Sequence, residues 1–191
     1  VTMERDGDIE QMRLDFGQAA AALYKAEFSS YPKTITITLP GTASIAVLSE
    51  ITRAQDTSQY IKSVYELPIS TSEAVALQLE LENDADVQME EYSNPGSLVI
   101  RLLPTDIQMD TIYSLRTLSY AGQEIREIAE QYAGWDSRIL QDDSGKFFVE
   151  LAQYHTREAA AAAVSGDLIV EKRTGNEVPA CFESMEQYES D

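Results

Sequence analysis

Between Ile112 and Val170 the hydrophobic pattern switches repeatedly between a period of 2 and a period of 3.6, in the order strand, helix, strand, strand, helix, strand. Tyr113, Leu115 and Thr117 share one face of the first strand, and Ser114, Arg116 and Leu118 share the other. In Gln123 to Tyr132 the residues Ile125, Ile128, Ala129 and Tyr132 recur at helical spacing and form one apolar stripe, with Gly134 placed as a C-cap. Trp135 to Gln141 and Lys146 to Tyr154 read as antiparallel strands joined by the tight turn Asp142-Asp143-Ser144-Gly145. Thr156 is set to cap a second helix, Glu158 complements its dipole, and Leu168, Ile169 and Val170 supply the last strand. This order predicts a ferredoxin-like βαββαβ split sandwich over residues 110–173. Right-handed crossovers would put both helices on one sheet face and leave the other uncovered.

The first 105 residues carry strand signals instead. Met12, Leu14 and Phe16 alternate with polar neighbours, as do Tyr24, Ala26 and Phe28, and Ile35, Ile37 and Leu39. A meander of short antiparallel strands is expected from these three runs. Thr42 to Thr57 carries mixed signals and receives no assignment. Val75, Leu77, Leu79 and Leu81 fall on one face of a further strand, whose Ala76, Gln78 and Glu80 face is expected to be wet. Residues 87 to 103 read as a hairpin around Ser93-Asn94-Pro95-Gly96, where proline presets φ and glycine accepts a positive one. The expected fold class is therefore α+β: an N-terminal antiparallel β-sandwich over 1–105, a short linker near Asp106 to Asp110, and the α+β module. Residues 174–191 hold five acids and no base and read as a flexible acidic tail.

Charge restricts the partners. The 33 acidic and 14 basic side chains give a net charge of -19, which repels phosphate backbones and anionic lipid surfaces, so neither nucleic acid nor membrane-surface binding is expected. Residues 1–105 hold 16 acids and 7 bases and the remainder holds 17 and 7, so the acidity is spread over the chain. Cys181 is the one cysteine and His155 the one histidine, which leaves no intrachain disulfide, no cysteine-based zinc site and no multi-histidine metal centre. His155 reads as a turn residue before the Thr156 cap. The acids Glu82, Asp84, Asp86, Glu90 and Glu91 lack the glycine and closing glutamate of a calcium loop and read as a solvated turn. Trp135 reads as a core residue. Nucleophile-elbow, phosphate-loop and dinucleotide fingerprints are missing, and 33 carboxylates single out no catalytic pair, so no enzyme activity, cofactor or metal is expected.

The pattern from Tyr113 to about Val170 resembles the SPOR domain, a bacterial module that binds septal peptidoglycan glycan strands. The resemblance runs through Tyr113, Leu115, Arg116, Leu118, Ser119 and Tyr120, then Gly145-Lys146-Phe147-Phe148-Val149-Glu150-Leu151-Ala152 and His155-Thr156-Arg157-Glu158-Ala159-Ala160. Arg116 replaces the family's usual glutamine, Leu118 its glycine, Lys146 an aromatic and Phe148 a basic residue. Ile61 to Val64, Val75 to Leu81, Val87 to Glu91 and Asn94 to Ile100 are in turn similar to the AMIN domain, a bacterial envelope β-sandwich that targets proteins to the cell wall.

These resemblances imply a noncatalytic module pair that places a larger protein at the cell wall. The partner would be peptidoglycan or another envelope protein. The location would be extracytoplasmic, with the targeting segment expected to precede Val1. On the uncovered face the family's ligand contacts fall on Arg116, Ser119, Lys146, Phe148, and Ile169 or Val170, with Phe148 stacking on a sugar and Arg116, Ser119 and Lys146 hydrogen bonding. The alternative is an acidic protein-interaction scaffold that keeps the topology and has lost the glycan. A hydrolase with an unrecognised carboxylate pair is the third class. Oligomeric state is left open.

Overall fold

The computed structural model describes residues 1–15, 25–40, 44–71, 73–93, 96–107, 109–173 and 182–183. Phe16, Tyr24, the Asn94-Pro95 turn, Cys181 and nearly all of the acidic tail lie outside the described residues. The chain divides into two compact units, Val1–Gln108 and Met109–Asp191. Its architecture is antiparallel β-sheet with few helices, consistent with α+β.

The first unit holds strands β1 (Thr2–Asp6), β2 (Ile9–Asp15), β3 (Lys25–Ser30) and β4 (Lys33–Pro40), then helix α1 (Ser44–Gln55). Strands β5 (Ile61–Glu66), β6 (Ala74–Leu81), β7 (Ala85–Ser93) and β8 (Gly96–Pro104) follow. They form two four-stranded sheets, in the orders β1-β2-β8-β7 and β3-β4-β6-β5. One core joins the sheets: Met12, Leu14, Leu98, Ile100 and Leu102 from the first, Ile35, Ile37, Leu39, Leu77 and Leu79 from the second, and Ile51 from α1. Each strand residue among these sits at every second position of its strand, so the alternation legible in the sequence becomes the contact between sheets.

Two expectations change, and one open stretch is filled. The meander through β2, β3 and β4 is broken, because β2 pairs with β1 and β8 whereas β3 and β4 belong to the other sheet. The unassigned stretch contains α1. Two of the three residues on the second face of β6 are dry: Ala76 and Gln78 are buried while Glu80 is half buried, and the Gln78 amide satisfies both its ends by accepting from Tyr65 Oη (2.5 Å) and donating to Thr36 Oγ1 (3.0 Å). The hairpin of β7 and β8 pairs in register from Ala85↔Pro104 to Ser93↔Gly96.

Buried ions in this unit are few and are met locally. Glu10 accepts from Arg5 (2.5 Å), the Ser58 hydroxyl (2.5 Å) and the Gln59 backbone N–H (2.9 Å). Lys33 donates to the carbonyls of Asn83 (2.7 Å) and Ala85. Burial lowers the Lys33 pKa, with Asp86 and Asp84 opposing the shift, so two of the acids expected to be merely solvated help hold a lysine.

The second unit runs β9 (Ile112–Arg116), α2 (Glu124–Gln131), β10 (Arg138–Gln141), β11 (Phe147–Tyr154), α3 (Arg157–Ala162), β12 (Ile169–Arg173) and the two-residue β13 (Phe182–Glu183). The sheet order is β10-β11-β9-β12-β13, antiparallel throughout. Helix α2 packs against β11, and α3 against β9, β11 and β12. Their buried contacts are Ile125 and Ala160. Thr156 caps α3, its Oγ1 accepting from the Ala159 N–H at 3.3 Å. Gly145 closes the β10–β11 turn at φ 80°, where a side chain would be strained. Gly134 does not serve as the cap of α2: the C-cap is Tyr132, and Gly134 is not among the glycines of positive φ.

Candidate functional site

Register decides which side chains share a face in the second unit. Arg116 lies opposite Glu150 and Ile169, Glu150 opposite Arg138, and Ser114 opposite Glu171. Two residues from Glu150 along β11 stands Phe148, and two from Glu171 along β12 stands Arg173. One face of the sheet therefore collects Ser114, Arg116, Arg138, Phe148, Glu150, Ile169, Glu171 and Arg173. The other collects Leu115, Ile139, Phe147, Val149 and Val170, the apolar set that matches Ile125 and Ala160 of the helices. A register shift between Glu150 and Ala152 puts Ala152 opposite Leu115 while Glu150 stays opposite Arg116.

The polar face is buried, which corrects the expectation of a bare surface. Arg116 is 0% exposed, Phe148 2%, Glu171 2%, Glu150 3% and Arg173 6%. Charges at such depth persist only when paired and hydrogen-bonded, because desolvation of each costs several kcal/mol. Here the pairing is extensive. Glu150 accepts from Ser114 Oγ (2.6 Å), Arg138 Nε (2.5 Å) and Gln153 Nε2 (3.0 Å), with Arg173 Nη1 at 3.5 Å. Glu171 Oε2 forms an ion pair with Arg116 Nε at 3.0 Å and accepts from Arg173 Nη2 at 3.2 Å. Arg116 Nη1 also donates to Ser119 Oγ (3.1 Å) and the Thr117 carbonyl (3.2 Å).

Phe148 already has a stacking partner. The Arg116 guanidinium carbon lies 4.0 Å from the ring centroid, and that of Arg173 lies 5.4 Å away. Burial lowers the Arg116 pKa, Arg173 adding in the same sense against the raising effects of Glu171, Asp142 and Glu150. Asp142 extends the network outward. Burial works against its ionisation, but hydroxyl donors Ser119 and Ser144 and the backbone N–H groups of Lys146 and Ser144 outweigh burial and hold its pKa below the ordinary value. Arg116, Arg138 and Arg173 thus stand against Glu150, Glu171 and Asp142, three cations to three anions in a chain of net charge -19.

The five residues expected to contact ligand separate accordingly. Arg116 and Phe148 meet in the buried stack, and Ser119, half buried, ties Arg116 to Asp142. Lys146 is exposed beside the β10–β11 turn, its backbone N–H donating to Asp142 Oδ1 at 3.0 Å. Val170 is corrected outright. It pairs opposite Leu115 on the apolar face, whereas Ile169 shares the face of Arg116. Sequence reasoning passed over Glu171, Arg173 and Arg138. The first two were legible as the alternate positions that continue from Ile169, whereas Arg138 needed the β10–β11 register.

Trp135 is also corrected. It is 52% exposed, in the turn after α2 rather than in a strand, because β10 begins only at Arg138. Among the described residues no group of three or more histidine, cysteine or acidic side chains is placed to hold a metal ion, and no helix is long and apolar enough to cross a membrane. Comparison with protein-family models, curated proteins and solved structures gives no match for this chain.

Proposed function

We propose that this chain is a noncatalytic module pair of the bacterial cell envelope, which binds peptidoglycan glycan strands and holds a larger protein at the wall. In this reading the first unit is an AMIN-like β-sandwich and the second a SPOR-like, ferredoxin-like split βαβ module. The supporting observation is the strand order β10-β11-β9-β12, with the first and third strands of the module adjacent at its centre. That arrangement brings Arg116 and Phe148, thirty-two positions apart, into a 4.0 Å stack. Because both are buried, their role is to fix the sheet and to hold Ser119 through Arg116, while Lys146 and Ser119 at the rim are the groups left to meet a sugar hydroxyl or acetamido group.

Peptidoglycan stripped of its stem peptides by an amidase lacks the carboxylates that a chain of net charge -19 would repel. Cosedimentation should therefore retain the protein better on amidase-treated than on untreated peptidoglycan. Failure to sediment with either removes the reading.

One observation favours a second reading, an acidic scaffold for a basic protein partner. The buried ions of the second unit balance, so the excess acid lies outside that network and is available to a cationic surface. Partner capture that weakens steeply between low salt and about 0.15 M, where exposed charges are screened beyond roughly 8 Å, would select the scaffold.

A further inference from the structure

With Phe148 engaged inside the sheet, the stacking surface for a sugar has to be sought elsewhere, and the turn after α2 supplies one. Trp135 is the single tryptophan of the chain and one of the most exposed large apolar side chains in the second unit. Its neighbour Tyr132 is half buried, and the two rings meet edge to face, with centroids 6.5 Å apart and planes at 79°.

The backbone beneath them is tied down. The N–H groups of Tyr132, Ala133 and Trp135 donate to the carbonyls of Ala129 (3.1 Å), Glu130 (3.3 Å) and Tyr132 (2.9 Å), and Ser137 Oγ donates to the Tyr132 carbonyl at 3.4 Å. A braced, half-exposed indole of this kind loses little conformational freedom when a ligand covers it.

The exposed polar residues that flank the pair along the chain narrow the ligand. Glu130, Gln131 and Asp136 are its exposed sequence neighbours, offering carboxylate and amide groups and no cation. Carboxylates accept hydrogen bonds from hydroxyl groups and repel anions, so an uncharged polyhydroxylated ligand with one flat C–H face is favoured over a phosphorylated or acidic one.

The geometry points to Trp135, braced by Tyr132, as a stacking platform for a neutral pyranose of the N-acetylglucosamine type, one residue of a glycan strand. This inference rests on the glycan-binding reading above and relocates its contact surface from the sheet to the α2–β10 turn. Stacking lays the C–H face of the sugar on the indole, while Glu130, Gln131 or Asp136 receive its hydroxyl protons.

The test uses the intact chain and β-1,4-linked N-acetylglucosamine tetramer, with amidase-treated peptidoglycan as a second probe. Because the chain has one tryptophan, its emission reports this site alone. A saturable blue shift is expected with the tetramer, together with about tenfold weaker tetramer binding by Trp135→Ala in calorimetry and an intermediate value for Trp135→Phe. Exposure of Trp135 means that both variants should keep the circular dichroism of the parent. If Trp135→Ala does not fold, the emission response and the Trp135→Phe affinity decide alone.

Retention of the parent chain on peptidoglycan with no change in emission, or with Trp135→Ala retained equally, overturns the platform and leaves envelope binding in place. An emission response to the tetramer without retention on peptidoglycan upholds the platform and removes the wall as target. Silence with both probes removes both.

Discussion

The two units bury a sheet face with opposite chemistry. In the first unit the face between the sheets is made of Met12, Leu14, Ile35, Ile37, Leu77, Leu79 and Ile100, and burial is repaid by removing apolar surface from water. In the second, one face is apolar beneath α2 and α3, while the other buries Arg116, Arg173, Glu150 and Glu171 against one another. An apolar interior tolerates small changes of shape, because its contacts are numerous and weak. An ionic interior does not, because each member is held by a few directional bonds and its loss strands the others.

The largest effect should therefore come from breaking the ionic face. Glu150→Ala removes the acceptor shared by Ser114, Arg138 and Gln153 and is expected to cost about 4 kcal/mol. Hydrogen exchange should show protection falling at the amides of β9, β11 and β12. Unchanged protection would mean that the network contributes nothing to the fold. A conservative cut in the apolar interior should cost much less: Ile37→Val, at a position with no exposure, is expected to lower stability by about 1 kcal/mol in chemical denaturation. A cost as large as that of Glu150→Ala would erase the contrast between the units.

The smallest effect belongs to the rim of the network. Asp142 has a folded pKa below its ordinary 3.8, so its contribution is fully present above pH 3.8 and is lost as pH falls through the lower folded value. Asp142→Asn should be slightly less stable than the parent at neutral pH, with the difference closing in acid. A difference in melting temperature that stays constant from pH 6 to pH 2.5 would contradict this.

The same contrast explains what could be read from the residues. Strand periodicity located β2, β4, β6 and the β7–β8 hairpin, because in the sandwich an alternating pattern separates inside from outside. It also placed the order of the second unit, where Thr156 and Gly145 punctuate the chain through their side-chain and backbone chemistry. The rule failed wherever a polar residue was buried by pairing rather than exposed. Gln78 and Arg116 occupy alternate positions that read as wet, and both are dry: Gln78 bonds across to β4 and β5, and Arg116 is ion-paired with Glu171 of β12. Which strands become neighbours is a property of the topology, so β1 beside β2, and Arg138 beside Glu150, required the register. Trp135 failed for the converse reason. Aromatic bulk suggested a core position, but the strand it was assigned to starts three residues later, and an indole in a turn has no sheet to lie against.

Strand β12 pairs with β9 on one flank and, among the described residues, on the other with the two residues of β13, Glu183 opposite Val170 and Phe182 opposite Glu171. A row of unpaired amides and carbonyls beside β-branched residues is a template on which a second molecule can zip up, and a strand of two residues paired along it is an economical guard. Proteolytic clipping after Arg173 would remove that guard, turning a self-contained sheet into a sticky margin prone to fibrous or dimeric association.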